Sequence, residues 1–162
     1  KFPIPVLVVQ HMPAGFTETF ANSLNKICSI RVKEAKEGDK LEHGLALLAP
    51  GGYHMVLKGG GNDLAIGLNK DPPVNNIRPS IDVTMQSVAM HCDGNTIGVI
   101  LTGMGQDGAR GMSQIKRERG KTIAQDEKTS LIYGMPKVVA EQGNADYILP
   151  IQDISRKIVE LL

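Results

Sequence analysis

Two residues in this sequence have the types and settings that hydrolytic chemistry needs. Asp107 lies in Thr102-Gly103-Met104-Gly105-Gln106-Asp107-Gly108, directly after the apolar run Ile97 to Leu101, and His11 lies in Gln10-His11-Met12-Pro13-Ala14-Gly15, directly after Val6 to Val9. Both runs are β-branched and uninterrupted, as a strand buried on both faces requires. Each residue therefore stands just past the carboxyl end of a strand, the edge at which open α/β sheets hold their ligands. If the two strands are neighbours, an acid and an imidazole converge there. The carboxylate fixes the tautomer and steadies the imidazolium, while the imidazole takes the proton from a nucleophile. Gly103, Gly105 and Gly108 permit positive φ and close approach to the main chain, so the loop is suited to holding another group.

A second reading of the same loop is dinucleotide binding. Gly103, Gly105 and Gly108 satisfy G-x-G-x-x-G between a strand and a helix, and Asp126 ends the next strand, where a ribose acid would stand. Against it, that fingerprint belongs on the first strand of its domain, whereas most of this chain precedes the loop. Asp107 would also oppose a pyrophosphate. No cofactor is expected.

The elements that position these residues follow from spacing. Val6 to Gln10 reads as a strand and Phe16 to Ile27 as a helix, with Phe16, Phe20, Leu24 and Ile27 on its apolar face and Thr17, Glu18 and Asn22 turned away. Arg31 to Glu37 is expected as a short exposed strand. Leu45 to Leu48, Tyr53 to Leu57 and Leu64 to Leu68, separated by glycine-rich turns, are expected to form antiparallel hairpins, with His43 and His54 in structural or surface roles. Asn69 to Pro79 is a loop. Ser80 then suits a helix N-cap, with Asp82 near the helix's positive end and Ile81, Met85, Val88 and Cys92 on the apolar face. After the central loop come helix Ala109 to Arg119, strand Lys121 to Ala124, helix Met135 to Glu141, strand Tyr147 to Leu149 and helix Ile154 to Leu162. This alternation indicates α/β: a doubly wound, mostly parallel sheet with helices on both faces and an antiparallel hairpin extension. The 162 residues suit a single domain, 1–162.

Composition narrows the partners. With 18 Lys plus Arg against 17 Asp plus Glu the net charge is +1, without the basic excess of a nucleic-acid binder. Apolar residues make up 41% and aromatics 4%, so the core is aliphatic. Cys28 and Cys92 match no metal-ligand spacing, and no metal is expected. No apolar run approaches the roughly 20 residues a bilayer span needs, and no signal-peptide pattern is present, so a cytoplasmic location without membrane insertion is expected. The chain opens at Lys1 without methionine and enters a strand almost at once, which reads as an N-terminally incomplete domain.

Five ordered stretches carry a family resemblance. Val8-Val9-Gln10-His11-Met12-Pro13-Ala14-Gly15-Phe16-Thr17, Leu48-Ala49-Pro50-Gly51-Gly52-Tyr53-His54-Met55, Arg78-Pro79-Ser80-Ile81-Asp82-Val83, Leu101 to Ala109, and Ala124-Gln125-Asp126-Glu127 with Tyr133-Gly134-Met135-Pro136 are similar to the catalytic domain of the chemotaxis protein-glutamate methylesterases, CheB. The resemblance spans nearly the whole chain. It implies a serine hydrolase of a two-component signalling system that demethylates glutamates of methyl-accepting chemotaxis receptors, releasing methanol, and deamidates certain glutamines. It implies His11 and Asp107 as triad members and the Met104 backbone N–H as part of the oxyanion hole. The order His before Asp separates the chain from ordinary α/β-hydrolases.

The family's nucleophile lies in a Gly-x-Ser-Thr-Gly-Gly-Pro turn upstream of the histidine, and these 162 residues contain no such motif. The expectation is that it precedes Lys1, together with the receiver domain usual in the family, and that the chain alone is nearly inert. A non-catalytic receptor-binding fragment or paralogue is the alternative.

Overall fold

The computed structural model describes residues 2–162, which divide into two compact units meeting at Thr84 and Met85. The first contains β1 (Val6–Val8), α1 (Thr17–Ile27), β2 (Arg31–Glu34), β3 (Leu45–Leu48), β4 (His54–Lys58), β5 (Ala65–Asn69) and the start of α2 (Ile81–His91). The second contains the rest of α2, β6 (Ile97–Ile100), α3 (Ala109–Arg117), β7 (Lys121–Gln125), α4 (Met135–Glu141), β8 (Tyr147–Leu149) and α5 (Ile151–Glu160). The class is α/β with mostly parallel pairing, as expected.

In the first unit the strand order is β1-β3-β2, all parallel, with Leu7 opposite Leu47 and Val32 opposite Ala46. This corrects the expected hairpin role of Leu45 to Leu48. All four β3 residues are buried, the consequence of a central strand covered on both faces, and their unbroken apolar run is the signature of that position. The antiparallel hairpin is confined to β4 and β5, with Met55 opposite Leu68.

The buried face of α1 also differs from the expected one. Phe16 is 61% and Ile27 80% exposed, whereas Thr17 and Ala21 are fully enclosed. The helix is turned so that small Ala21 sits against Val32, Ala46 and Leu48, with Phe20 and Leu24 flanking the contact. Burying Thr17 costs little because its hydroxyl is hydrogen-bonded on both sides. Helix α2 departs similarly. Ile81 is buried as expected, but Met85, Val88 and Cys92 are half-buried while Asp82, Thr84, Ser87 and Ala89 lie deeper.

The second unit is a regular strand-helix alternation with order β6-β7-β8, all parallel. Met112 and Ile115 of α3 point inward as expected. They approach β6 so closely that a Cβ at Gly98 would lie 2.8 Å from Met112 Sδ and 2.9 Å from Ile115 Cδ1. Asp146 fastens the start of β8 to β7, accepting the Thr122 N–H at 2.9 Å and its hydroxyl at 3.0 Å, with Lys116 Nζ at 3.0 Å. Burial pushes its carboxyl up, but the hydrogen bonds from Lys116 and Thr122 outweigh that and hold it below the usual carboxylate range.

Candidate active site

His11 belongs to the first unit; Met104 and Asp107 belong to the second. The half-buried His11 follows β1 in a loop whose support comes from the neighbouring strand exits. The Ala49 N–H donates to the Val8 carbonyl at 2.9 Å, which carries the β1–β3 pairing one step beyond the strands. The turn after β3 then presses on the histidine loop: a Cβ at Gly51 would lie 2.5 Å from the Pro13 oxygen and 2.6 Å from the Ala14 nitrogen. Thr17 closes the arrangement. Its Oγ1 accepts the Gly51 N–H at 3.0 Å and donates to Glu34 Oε1, so one hydroxyl joins the first turn of α1, the exit of β3 and the end of β2.

His54, the other imidazole in this unit's signature stretches, has a structural role, as expected. It is 1% exposed, its Nδ1 accepts the Ser80 N–H at 3.2 Å, and its Nε2 lies 3.2 Å from the Pro72 oxygen. Nε2 therefore carries the proton, and both ring nitrogens are spent on the main chain.

The loop after β6 is braced differently, through its backbone. The Thr102 N–H donates to Gln125 Oε1 at 2.8 Å, and Thr102 Oγ1 donates to the Ile132 oxygen at 3.0 Å while accepting the Ile132 N–H at 2.9 Å. The Gly103 N–H donates to the same Ile132 oxygen at 3.0 Å, and the Gly103 oxygen accepts the Met135 N–H at 2.8 Å. The Thr102 hydroxyl and both main-chain groups of Gly103 are thus bonded to the 132–135 segment. Met104 follows at once, 77% exposed, and among the described residues no backbone bond of the loop uses its N–H. Gly105 turns the chain with φ +92°, and Gly108, with φ +95°, starts α3, its carbonyl accepting the Met112 N–H at 2.8 Å. Asp107 is 2% exposed and engaged in interactions of its own.

Gly103, the first glycine of this loop, is small for a packing reason that the dinucleotide reading does not need. A Cβ at Gly103 would meet the Met135 methyl at 2.1 Å, and one at Gly134 would meet the Gly103 oxygen at 2.5 Å. Gly103 and Gly134 let two protein segments touch, whereas Gly105 and Gly108 serve the turn through their positive φ. Asp126 is likewise committed, accepting the Thr129 N–H at 3.0 Å and its hydroxyl at 2.6 Å.

Other groups capable of nucleophilic or basic chemistry are held out of play. Ser80 is fully buried and occupies the position just before α2, where its carbonyl accepts the Thr84 N–H at 3.4 Å. Ser23 and Ser130 donate to the Thr19 and Asp126 carbonyls. Burial pushes the Cys92 thiol up, with Asp93 acting in the same direction, so it remains a poor nucleophile at neutral pH. Burial and the nearby Glu127, Glu141 and Asp126 carboxylates raise Tyr133, which stays protonated. Among the described residues no group of three His, Cys, Asp or Glu side chains could hold a metal ion, and no helix is long and apolar enough to cross a membrane.

Sequence reasoning passed over Thr17, Gln125 and the Thr102–Ile132 pairing. Polarity alone places Thr17 on the solvent face of α1, whereas it is fully buried. Gln125 reads from the sequence as the first residue of a polar loop, Gln125 to Gly134, whereas β7 runs one residue further and includes it.

Comparison with known proteins places this geometry in context. The family profile described as CheB methylesterase matches residues 1–158. A protein-glutamate methylesterase/protein-glutamine glutaminase of Sulfurimonas denitrificans is 49% identical over 157 residues, covering 97% of this chain and 45% of that protein. One of the same description from Pyrococcus abyssi is 49% identical over 163 residues, covering 98% of this chain and 44% of that protein. The chain thus spans less than half the length of these relatives. The crystal structure of the Thermotoga maritima CheB methylesterase catalytic domain matches with a TM-score of 0.97 at 43% identity, covering 99% of this chain and 85% of that one.

Proposed function

Since the chain belongs to the CheB methylesterase family, we propose that it is the larger part of the catalytic domain of a protein-glutamate methylesterase and glutamine deamidase. The enzyme is a serine hydrolase acting in the cytoplasm, within a two-component chemotaxis system, on the cytoplasmic part of methyl-accepting receptors. His11 is the general base, Asp107 orients its imidazole, and the Met104 N–H stabilises the oxyanion. The nucleophilic serine comes from chain outside these 162 residues, in a Gly-x-Ser-Thr-Gly-Gly-Pro turn, and a receiver domain belongs to the same protein, as is usual in the family.

The chemistry proceeds in two halves. His11 takes the serine proton as the hydroxyl adds to the glutamyl ester carbonyl, and the negative oxygen that forms accepts from the Met104 N–H. Collapse releases methanol, protonated by His11, or ammonia when the substrate is a glutamine. Water, deprotonated by the same imidazole, then hydrolyses the acyl-serine and leaves a glutamate. The observation that carries this reading is the loop after β6, which holds the N–H groups of residues 102 and 103 and presents the next N–H unused by the loop's own backbone bonds.

The test is methanol release from methylated receptor by the full-length protein and by its serine-to-alanine variant. The full-length protein turns over and the variant falls to residual rates, roughly 10³ to 10⁴ over water at most. Undiminished turnover in the variant contradicts the assignment.

A further inference from the structure

Gln125 lies at the end of β7, outside the groups assigned to the reaction, yet it is a polar side chain only 2% exposed with both ends of its amide bound. Its Oε1 accepts the Thr102 N–H at 2.8 Å. Its Nε2 donates to the Thr129 oxygen at 2.8 Å and lies 3.3 Å from Thr129 Oγ1. That hydroxyl in turn donates to Asp126 and accepts the Ile151 N–H at 3.0 Å. One amide therefore joins the loop after β6 to the loop after β7 and, through Thr129, to the first turn of α5. Asn, Glu or an apolar residue lacks either the reach or one of the two polarities that these partners require.

We propose that Gln125 is a positioning residue for the oxyanion hole, fixing where the Met104 N–H points; the inference rests on the functional reading above. The path is short. Gln125 holds the Thr102 N–H, Thr102 and Gly103 are locked to Ile132 and Met135, and Met104 is the next residue. An oxyanion donor acts only if its direction is set before the charge develops, and a misplacement of about 1 Å can cost 10²-fold. Loss of the Gln125 bond also leaves the half-buried Thr102 N–H without its acceptor, a loss that the loop relieves by moving. Gln125 touches no reacting atom; its effect passes through the main chain.

The test uses the full-length protein, with a glutamyl methyl ester and its thionoester, in which sulfur replaces the carbonyl oxygen and accepts hydrogen bonds weakly. In Gln125→Leu, kcat for the oxygen ester falls 10- to 100-fold with KM within about twofold. The preference for oxygen over sulfur shrinks by a similar factor, and Thr102 and Ile132 amides lose protection from hydrogen exchange. Gln125→Glu, which keeps an acceptor for the Thr102 N–H, recovers part of kcat. Gln125→Met gives the same readout as leucine should the leucine variant not fold. A folded variant whose Thr102 amide exchanges freely while kcat and the oxygen-to-sulfur preference are unchanged overturns the inference. His11→Ala, assayed alongside, separates the two ideas: its loss of activity upholds the functional reading whichever way Gln125 falls, and its retention removes that reading itself.

Discussion

The two halves of the proposed site are held by different means. On the His11 side a single hydroxyl, that of Thr17, joins Glu34 and Gly51, and the turn after β3 packs against Pro13 and Ala14. On the Met104 side consecutive main-chain groups are bonded one after another to Gln125, Ile132 and Met135. The difference follows from which atom does the work. In the proposed mechanism His11 acts through a ring at the end of two rotatable bonds, which must serve the nucleophile and then the leaving group, so the loop need fix only the Cα. Met104, as the proposed oxyanion donor, acts through its backbone N–H, whose direction no side-chain torsion can adjust. The peptide plane itself must be held, and only bonds to its immediate neighbours do that.

The largest effect is expected at the base. In the full-length protein His11→Ala lowers kcat by roughly 10⁶, and Asp107→Asn, which leaves the imidazole in place but poorly oriented, by roughly 10⁴, both read by methanol release.

Two glycine variants then contrast the supports. A Cβ at Gly134 meets the Gly103 oxygen at 2.5 Å and one at Gly51 meets the Pro13 oxygen at 2.5 Å, so each pushes on backbone. Gly134→Ala displaces the peptide leading to Met104 and lowers kcat about 10²-fold with KM little changed. Gly51→Ala moves a loop whose histidine can reorient. It destabilises by about 1–3 kcal/mol, seen in thermal melting, while kcat falls about tenfold or less. Equal kcat losses in the two variants erase the proposed distinction.

The smallest effect lies away from both supports. Asp146 has its carboxyl held below the ordinary value, so it contributes stability above the unfolded pKa of about 3.9 that is lost as pH falls through the lower folded value. Asp146→Asn is therefore less stable than the parent at neutral pH, and the gap closes below about pH 4 in denaturant titrations. A gap that stays constant contradicts the assignment.

What was legible in the sequence follows the same division. His11 and Asp107 stand out because a side chain proposed for chemistry shows itself by its type and its setting at the end of an apolar run. The oxyanion support is spread over main-chain groups, which every residue possesses, so residue type is nearly silent about it. Gly103 and Gly134 were the trace left behind, visible as glycines but readable equally as phosphate-binding or flexible. Polarity misled at Thr17, taken for a surface residue because a buried hydroxyl is acceptable only when its partners are present, and those come from distant Glu34 and Gly51. Proximity misled at Leu45 to Leu48. The Pro50-Gly51-Gly52 turn suggested a hairpin, although the run has no polar alternation and belongs at the centre of a parallel sheet.

The central claim is that His11 and Asp107, carried by separate units of the chain, act as one catalytic device. A double-mutant cycle in the full-length protein measures this directly, comparing kcat/KM of the parent, His11→Ala, Asp107→Asn and the double variant. The account predicts that the double variant is no slower than His11→Ala alone, because an orienting carboxylate has nothing to orient once the imidazole is gone. Losses that multiply, so that the double variant is slower than His11→Ala by the full Asp107→Asn factor, would contradict it.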